Sequence, residues 1–485
     1  MIPPLRARIW LAWALVVLAA ALAATGAGAR PFATSSGAKV ELGCKPAKYR
    51  VRPGDSLSSI ADRFHTTVAA LARANQLKPN GILLIGAVLE IPPVCESRRA
   101  VPAPAAGAQR ALTRSLLSAL AVPGVSRVRT GVVVVDLASS DVVFKLNAET
   151  PLEPASTEKL PVALTALQRL GAGFRTHTEV LGEGRLVGKT WSGNLVLKGY
   201  GDPTLSSAGL TALARAVRNH GISAVSGRVV GDESYFDTQR TCPGWKASFA
   251  KVESPYLSAL IANRGVLDGA ASSDPALAAA ILFTRALQKA GVSVAGSPVV
   301  GTASADAVRI VRRASPPLAK LLAIMDTWSD NFVAEMVLKQ LGARIGEGGS
   351  TSAGAAVVRA TLVEDGVPVV GVRLADGSGL SGLDRLTARS LAAMLETVWH
   401  EPSLHRLLDT FAVAGSTGTL RHRLVGVSGH EQVRGKTGTT NHSSALTGFV
   451  GSRYAFAILN NGAPVNWAAA HQLQDRVVTT LLAAA

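Results

Sequence analysis

The chain has 485 residues, and since folded domains usually run to ~100–200, two or more units are expected. Its 50 lysines and arginines against 33 aspartates and glutamates leave a formal charge of +17, while 48% of residues are hydrophobic and 17% charged. So much apolar side chain excludes a disordered polyelectrolyte, and the lack of a further apolar run near ~20 residues after the N-terminal segment excludes a multi-span membrane protein. The surplus of positive charge then asks for an anionic partner: nucleic acid, a membrane surface or an acidic polymer.

The N-terminal residues narrow that choice. Arg6 and Arg8 precede an apolar run of 16 residues from Ile9 to Ala24, and Ala27-Gly28-Ala29 follows. A basic start, a short apolar centre and small residues before a cut predict a signal peptide over residues 1–29, cleaved after Ala29. An uncleaved anchor is the alternative, but the run is short for a span. Either way the chain works outside the cytoplasm. No integral span is expected after cleavage, and nucleic acid is not expected as a partner, because neither zinc-finger spacing nor basic-aromatic interleaving is present.

Three cysteines remain in the exported part: Cys44, Cys95 and Cys242. Cys44 and Cys95 bracket one small segment, where a disulfide would support a marginal core. Closing a loop of that length is worth up to ~4 kcal/mol in the chain-entropy account. Cys242 is left over and is expected to be a buried thiol, since no histidine stands in a cysteine-protease context.

Within residues 44–95 a short strand at Tyr49-Arg50-Val51 leads to a turn at Pro53-Gly54-Asp55. Leu57, Ile60, Ala61 and Phe64 recur at helical spacing, and Val68, Leu71, Ala72 and Asn75 form a second stripe. Pro79-Asn80-Gly81 breaks that helix, and Val88–Pro92 closes as a strand. This strand–helix–helix–strand segment, with Tyr49-x-Val51-x-x-Gly54-Asp55-Ser56-Leu57-x-x-Ile60-Ala61, Ala74-Asn75 and Ile85-Gly86 through Ile91-Pro92, resembles a LysM module. The resemblance implies binding of peptidoglycan glycan strands in a groove between residues 54–57 and the loop around Ile82. Gly54, Asp55, Leu57 and Ile82 are the candidate contacts. For Asp55 and Leu57 a purely structural part, capping a helix or filling the core, is the equal alternative. Residues 96–110, rich in Pro, Ala and Gly, read as a tether.

The chemistry is expected from residue 111 onward. Thr130–Leu137 is a β-branched strand able to pair with Val142–Phe144 as a hairpin. Pro154-Ala155-Ser156-Thr157-Glu158-Lys159 opens a helix predicted to end at Gly171. Ser156 and Lys159, three residues apart, share a helix face, and a desolvated lysine can take the proton that makes a serine hydroxyl nucleophilic. Alone, Ser-x-x-Lys is weak. It is followed, in order, by Ser329-Asp330-Asn331 and by Lys436-Thr437-Gly438-Thr439 ahead of the strand-like Ala445–Val450.

That ordered triplet resembles the serine penicillin-recognising enzymes. Further segments narrow it: Gly199-Tyr-Gly-Asp-Pro-Thr-Leu205, Gly231-Asp-Glu-Ser-Tyr-Phe-Asp237, Asp376-Gly-Ser-Gly-Leu-Ser381 and Val413-Ala-Gly-x-x-Gly-Thr-Leu420. They are similar to the D-alanyl-D-alanine carboxypeptidase/endopeptidase group of peptidase family S13, the penicillin-binding protein 4 type. The resemblance implies an α/β (α+β) chain with the transpeptidase fold of penicillin-binding proteins and β-lactamases over residues 111–485, interrupted by an insertion at about 180–265. A second insert common in the group is expected to be missing or vestigial. Ser156 would be acylated, with Lys159 as its base. Ser329 would pass a proton toward the leaving group or the lysine, and Asn331 would hydrogen-bond the substrate amide or carbonyl. Lys436, Thr437 and Thr439 would bind the terminal carboxylate, with Gly438 allowing close approach and the N–H groups of Ser156 and Thr439 forming the oxyanion hole. Peptidoglycan stem peptides would be substrates and β-lactams covalent inhibitors. No cofactor is expected, and no metal, since nine histidines include no His-Glu-x-x-His.

Pro161 lies early in the Ser156 helix and predicts a local distortion there. Asp202-Pro203 and Asp376-Gly377 are expected to shape tight turns rather than to react. The competing readings are a β-lactamase or esterase using the same serine, and a non-catalytic wall-binding protein. The complete motif residues speak against the second.

Overall fold

Four consecutive valines, Val132–Val135, lie fully buried in one strand, and their side chains enter two different cores by turns. A strand covered on both faces reads as an unbroken apolar run, which is why this segment lacks the polar alternation of a half-exposed strand. In the computed structural model, residues 47–51, 57, 60–61, 68–77, 84–91 and 106–485 are described. The chain divides into two units, Met1–Arg99 and Ala100–Ala485.

In the first unit β1 (Ala47–Arg50) pairs antiparallel with β2 (Val88–Ile91), and α1 (Val68–Ala74) lies between them in sequence. Leu57, Ile60 and Ala61 are helical, and they share one small core with Tyr49, Leu71, Leu89 and Ile91. Asn75 ties the helix end to the sheet: its Nδ2 donates to the carbonyls of Leu71 and Glu90, and its Oδ1 accepts from the Glu90 N–H at 2.7 Å.

The second unit begins with α2 (Ala106–Ala119), so its first turn falls inside the stretch expected to be tether. The helix starts that early because Gln109 donates to the Val143 carbonyl and Leu116 and Ala119 enter the core. The hairpin β3 (Thr130–Asp136) and β4 (Asp141–Leu146) follows, then α3 (Lys159–Leu170), closed by Gly171 in a left-handed turn at φ 81°.

Between α3 and the next catalytic helix lies an inserted layer. It contains β5 (His177–Val187), β6 (Thr190–Gly199), α4 (Ser207–Asn219), β7 (Ala224–Val225), β8 (Val229–Asp232), the single turn α5 (Phe249–Val252), the ribbon β9 (Val266–Leu267) and β10 (Ala270–Ala271), α6 (Pro275–Lys289), β11 (Ser293–Val294), β12 (Val299–Val300) and β13 (Val308–Ala314). Its sheet runs β11-β7-β6-β5-β13, with β8 alongside β6 and β12. The insertion therefore extends well past the expected boundary near residue 265, to residue 315. The reason is long-range pairing: β13 closes antiparallel on β5, and α6 packs with α4 in one core around Leu213, Val217 and Phe283. Where the insert meets its host the two chain segments are hydrogen-bonded neighbours, with Ser315 N–H donating to the Thr176 carbonyl at 2.9 Å and Leu318 N–H to that of Phe174 at 2.7 Å.

The host resumes with α7 (Leu318–Thr327), α8 (Asn331–Arg344), α9 (Thr351–Glu364) and α10 (Ala388–His400). It ends with β14 (Ala412–Val413), β15 (Val433–Thr439), β16 (Ser443–Val450), β17 (Tyr454–Asn461) and α11 (Trp467–Ala484). The host sheet is antiparallel throughout, in the order β14-β15-β16-β17-β3-β4. Helices α3, α7, α8, α9 and α10 cover one face, and α2 and α11 cover the other. Among the described residues no helix is long and apolar enough to cross a membrane.

Candidate active site

Ser156 sits on a 3₁₀ turn, Ala155–Glu158, that leads directly into α3. The expected distortion takes this form. With the α-helix starting at Lys159, Pro161 falls in its first turn, where a missing N–H costs little. Ala155 adopts φ 47°, a left-handed backbone that turns the following serine outward, and Ser156 is half-buried. Gly379 makes the turn possible from the other side, since a Cβ there would stand 1.8 Å from the Ala155 carbonyl oxygen.

Lys159 is fully buried, and its Nζ lies 3.0 Å from Ser156 Oγ, 2.8 Å from Asn331 Oδ1 and 2.6 Å from the Ser378 carbonyl oxygen. The last two groups can only accept, so they must take N–H bonds from the amine. When Lys159 is neutral its lone pair is thus left facing the Ser156 hydroxyl. Burial drives its pKa down to about 8, opposed by the charges of Asp376, Glu335, Asp330 and Asp326.

Ser329 and Asn331 come from the junction of α7 and α8. Ser329 has φ 60°, a strained conformation for a non-glycine residue, and Asp330 caps α8 by accepting from the Val333 N–H at 2.9 Å. Asp330 also pairs with Arg264 of the insert. The Asn331 Nδ2 donates to the Glu253 carbonyl at 3.0 Å, which orients the amide so that its oxygen meets Lys159.

The third wall is β15. Lys436 is buried, and its Nζ donates to Ser329 Oγ at 2.8 Å and to the Thr437 carbonyl at 2.9 Å. Burial, and next the charge of Lys159, push its pKa well down, while Asp326 opposes them. Thr437 Oγ1 donates to Thr419 Oγ1 at 2.7 Å, and Thr439 is exposed at the strand end. Gly438 faces the nucleophile's turn, where a Cβ would lie 2.7 Å from the Pro154 carbonyl oxygen and 3.1 Å from Ser156 N. The eight expected residues, Ser156, Lys159, Ser329, Asn331, Lys436, Thr437, Gly438 and Thr439, therefore stand on three segments that meet beside the Ser156 turn.

Behind Lys159 lies a layer of buried carboxyls, of which only Asp376 and Glu158 belong to segments singled out in the sequence. Asp376 binds the N–H groups of Ser378, Gly379 and Ser381 and the Trp245 indole N–H. Its turn is the expected tight one, yet the same turn delivers the Ser378 carbonyl to Lys159. Glu335 takes the Gly377 N–H on both oxygens and the Cys242 thiol on one. Burial raises Glu335 to about 7, with the charge of Asp376 adding to it. Glu158 and Asp384 are raised well above the usual carboxyl range, first by burial and then by Asp376, and neither oxygen of Glu158 has a hydrogen-bond partner. Asp326, beside the two lysines, is raised to about 7 by burial and accepts from Thr410 Oγ1 at 2.7 Å. Cys242 is the buried thiol expected, and burial pushes its pKa up.

In the first unit Leu57 is buried in the small core, as its structural reading expects. Gly54, Asp55, Ile82, Cys44 and Cys95 lie outside the described residues.

The family of D-Ala-D-Ala carboxypeptidase 3 (S13) matches residues 112–270 and 268–483. The chain belongs to the S13 family. As an S13 enzyme it is a D-Ala-D-Ala carboxypeptidase. A LysM domain matches residues 49–92. The chain is 29% identical over 428 residues to the D-alanyl-D-alanine carboxypeptidase of Actinomadura sp., covering 70% of this chain and 79% of that enzyme. It is 30% identical over 348 residues to a carboxypeptidase of Mycobacterium tuberculosis, covering 66% and 73%. The fold matches the crystal structure of penicillin binding protein 4 from Haemophilus influenzae with a TM-score of 0.68 at 23% identity, over 76% of this chain and 99% of that one. The Haemophilus protein has also been solved complexed with a novel β-lactam.

Proposed function

We propose that this S13 carboxypeptidase is exported, is held on peptidoglycan by its LysM domain, and removes the terminal D-alanine of stem peptides through an acyl-enzyme on Ser156. The observation that carries the mechanism is the hydrogen-bond set of Lys159: two acceptors hold its N–H groups and leave the lone pair to Ser156.

Ser156 Oγ attacks the carbonyl carbon of the penultimate D-alanine while Lys159 takes the hydroxyl proton. The carbonyl oxygen, now negative, is met by the N–H groups of Ser156 and Thr439. Collapse of the adduct breaks the peptide bond, and the departing amine of D-alanine takes the proton that Lys159 had accepted, passed on through Ser329, which leaves Lys159 neutral again. Water then attacks the Ser156 ester and gives its proton to Lys159; as this second adduct collapses, Lys159 returns the proton to Ser156 Oγ and the shortened peptide leaves. Thr437 and Thr439 hold the substrate carboxylate. Lys436 adds charge there, because an anion bound beside it raises its affinity for a proton. A β-lactam follows the first half of this course, its ring opening on Ser156.

Fluorescent penicillin tests the assignment. The native protein should be labelled and Ser156→Ala should not; equal labelling, or labelling of neither, overturns it. Removing residues 44–95 should abolish retention by purified peptidoglycan, whereas unchanged retention would place the affinity on the basic surface. Product analysis on defined muropeptides separates carboxypeptidase from endopeptidase action.

A further inference from the structure

Asn331 and Glu335 lie four residues apart on α8, one above the other on a single helix face. Asn331 holds Lys159 directly. Glu335 reaches it through the next segment of chain: its carboxyl accepts the Gly377 N–H at 3.1 and 3.0 Å, and the adjoining Ser378 carbonyl accepts from Lys159 at 2.6 Å. Glu335 also meets the Ser378 side chain and the Cys242 thiol, the thiol at 3.2 Å. None of these partners is a cation, and Glu335 is fully buried. A carboxyl in such a place is costly, and packing alone would be served better by an apolar residue of similar volume.

We propose that Glu335 is a positioning residue for acylation, fixing the Gly377–Ser378 peptide so that Lys159 presents its lone pair to Ser156, and through its charge setting the proton affinity of that lysine. The proposal rests on the reading of Lys159 as the base. The groups facing Glu335 are Asp376 on its loop, Glu158 and Lys159 at the start of α3, and Cys242 from the insert, with Asp384 behind Asp376 and Glu158. Of these only Lys159 can carry positive charge. Carboxylates packed this closely cannot all ionise together, and Glu335, raised to about 7, changes charge near the pH at which Lys159 does. Its ionised form favours protonated Lys159; its neutral form releases the base.

The experiment follows penicillin acylation rates against pH, with thermal melting alongside. Glu335→Gln keeps an oxygen for Gly377 but carries no charge, so the acid-side midpoint should move down by roughly half a unit. Glu335→Ala removes the hold on Gly377 and should lower the plateau rate by ~10–100-fold, as loss of an outer-shell support does elsewhere, with Glu335→Gln restoring most of it. Should Glu335→Ala not fold, Glu335→Gln decides by itself. A lower melting temperature with native midpoint and native plateau in the folded variants overturns the proposal. Lys159→Ala separates the two layers: native acylation in that variant removes the base reading, while its loss together with a native profile in Glu335→Gln removes only the part given to Glu335.

Discussion

A side chain on Gly438 would stand 2.7 Å from the Pro154 carbonyl oxygen, just ahead of the nucleophile's turn. The strand that is to hold substrate and the turn that carries the nucleophile are therefore in backbone contact. Gly438→Ala must push β15 away from the 155–158 turn, because the atoms it would meet are backbone and a short Cβ, with no flexible side chain to swing aside. Acylation by penicillin should fall about 100-fold, near the cost of losing one oxyanion donor. The melting temperature should change little, since only the strand end moves. Stopped-flow acylation and a thermal melt check both halves.

The base sets the pH dependence. Lys159 is active when neutral, and its pKa is pulled to about 8, so acylation should climb through an acid limb centred near that value. An ordinary lysine would put the limb above pH 10. Rates of β-lactam acylation as a function of pH give the midpoint directly.

Stability should run the other way across the acid side. Glu158, Asp326, Glu335 and Asp384 all bind protons more tightly in the folded chain than in the unfolded one. Their contribution is complete below the ordinary carboxyl range and is lost as pH rises through the folded values, about 7 for Asp326 and Glu335. Lys159, with its pKa lowered, contributes an opposite slope only above about 8. His177, lowered to about 4 by burial, and His400 and His471, lowered likewise, pull the other way over the same window, so the carboxyl contribution is read as a difference: from mildly acidic to neutral buffer Glu335→Gln should lose less melting temperature, or gain more, than the native chain.

In the LysM domain, the Asn75 side chain links the end of α1 to both backbone groups of Glu90. Asn75→Ala leaves those groups to water and unties the helix from β2, which should cost about 1–2 kcal/mol. Denaturant unfolding of a LysM-only fragment measures it. If the fragment loses stability, its retention on peptidoglycan should weaken in parallel.

What the sequence made legible was local. The β-branched run Thr130–Leu137 announced a strand and its hairpin partner, though not that both its faces are covered, and three motifs of three or four residues each located eight site residues, because each motif is read within one turn or one strand. The support behind them is not local. On α8, Glu335 and Lys339 have the spacing of a solvated ion pair, yet both are buried and neither pairs with the other: Lys339 binds Asp237, and Glu335 binds the backbone of Gly377. No pattern within the helix distinguishes the two cases. Strand β13, Val-Arg-Ile-Val-Arg-Arg-Ala, misled for a related reason. Its arginines sit on an exposed edge against Glu179 and Asp202, so it lacks the apolar signature that would have assigned it to the inserted sheet.

The neck at Thr176 and Ser315 has one more consequence. Because the segments that leave and rejoin the host are adjacent strands, the catalytic fold meets the whole of residues 176–315 as it would meet a tight turn. The entropy of closing so long a connection grows only with the logarithm of its length, and here the inserted sheet closes it from within. The host topology is thereby insulated from what the insert becomes, so the layer can lengthen, shrink or be exchanged between descendants while Ser156, Ser329 and Lys436 keep their places.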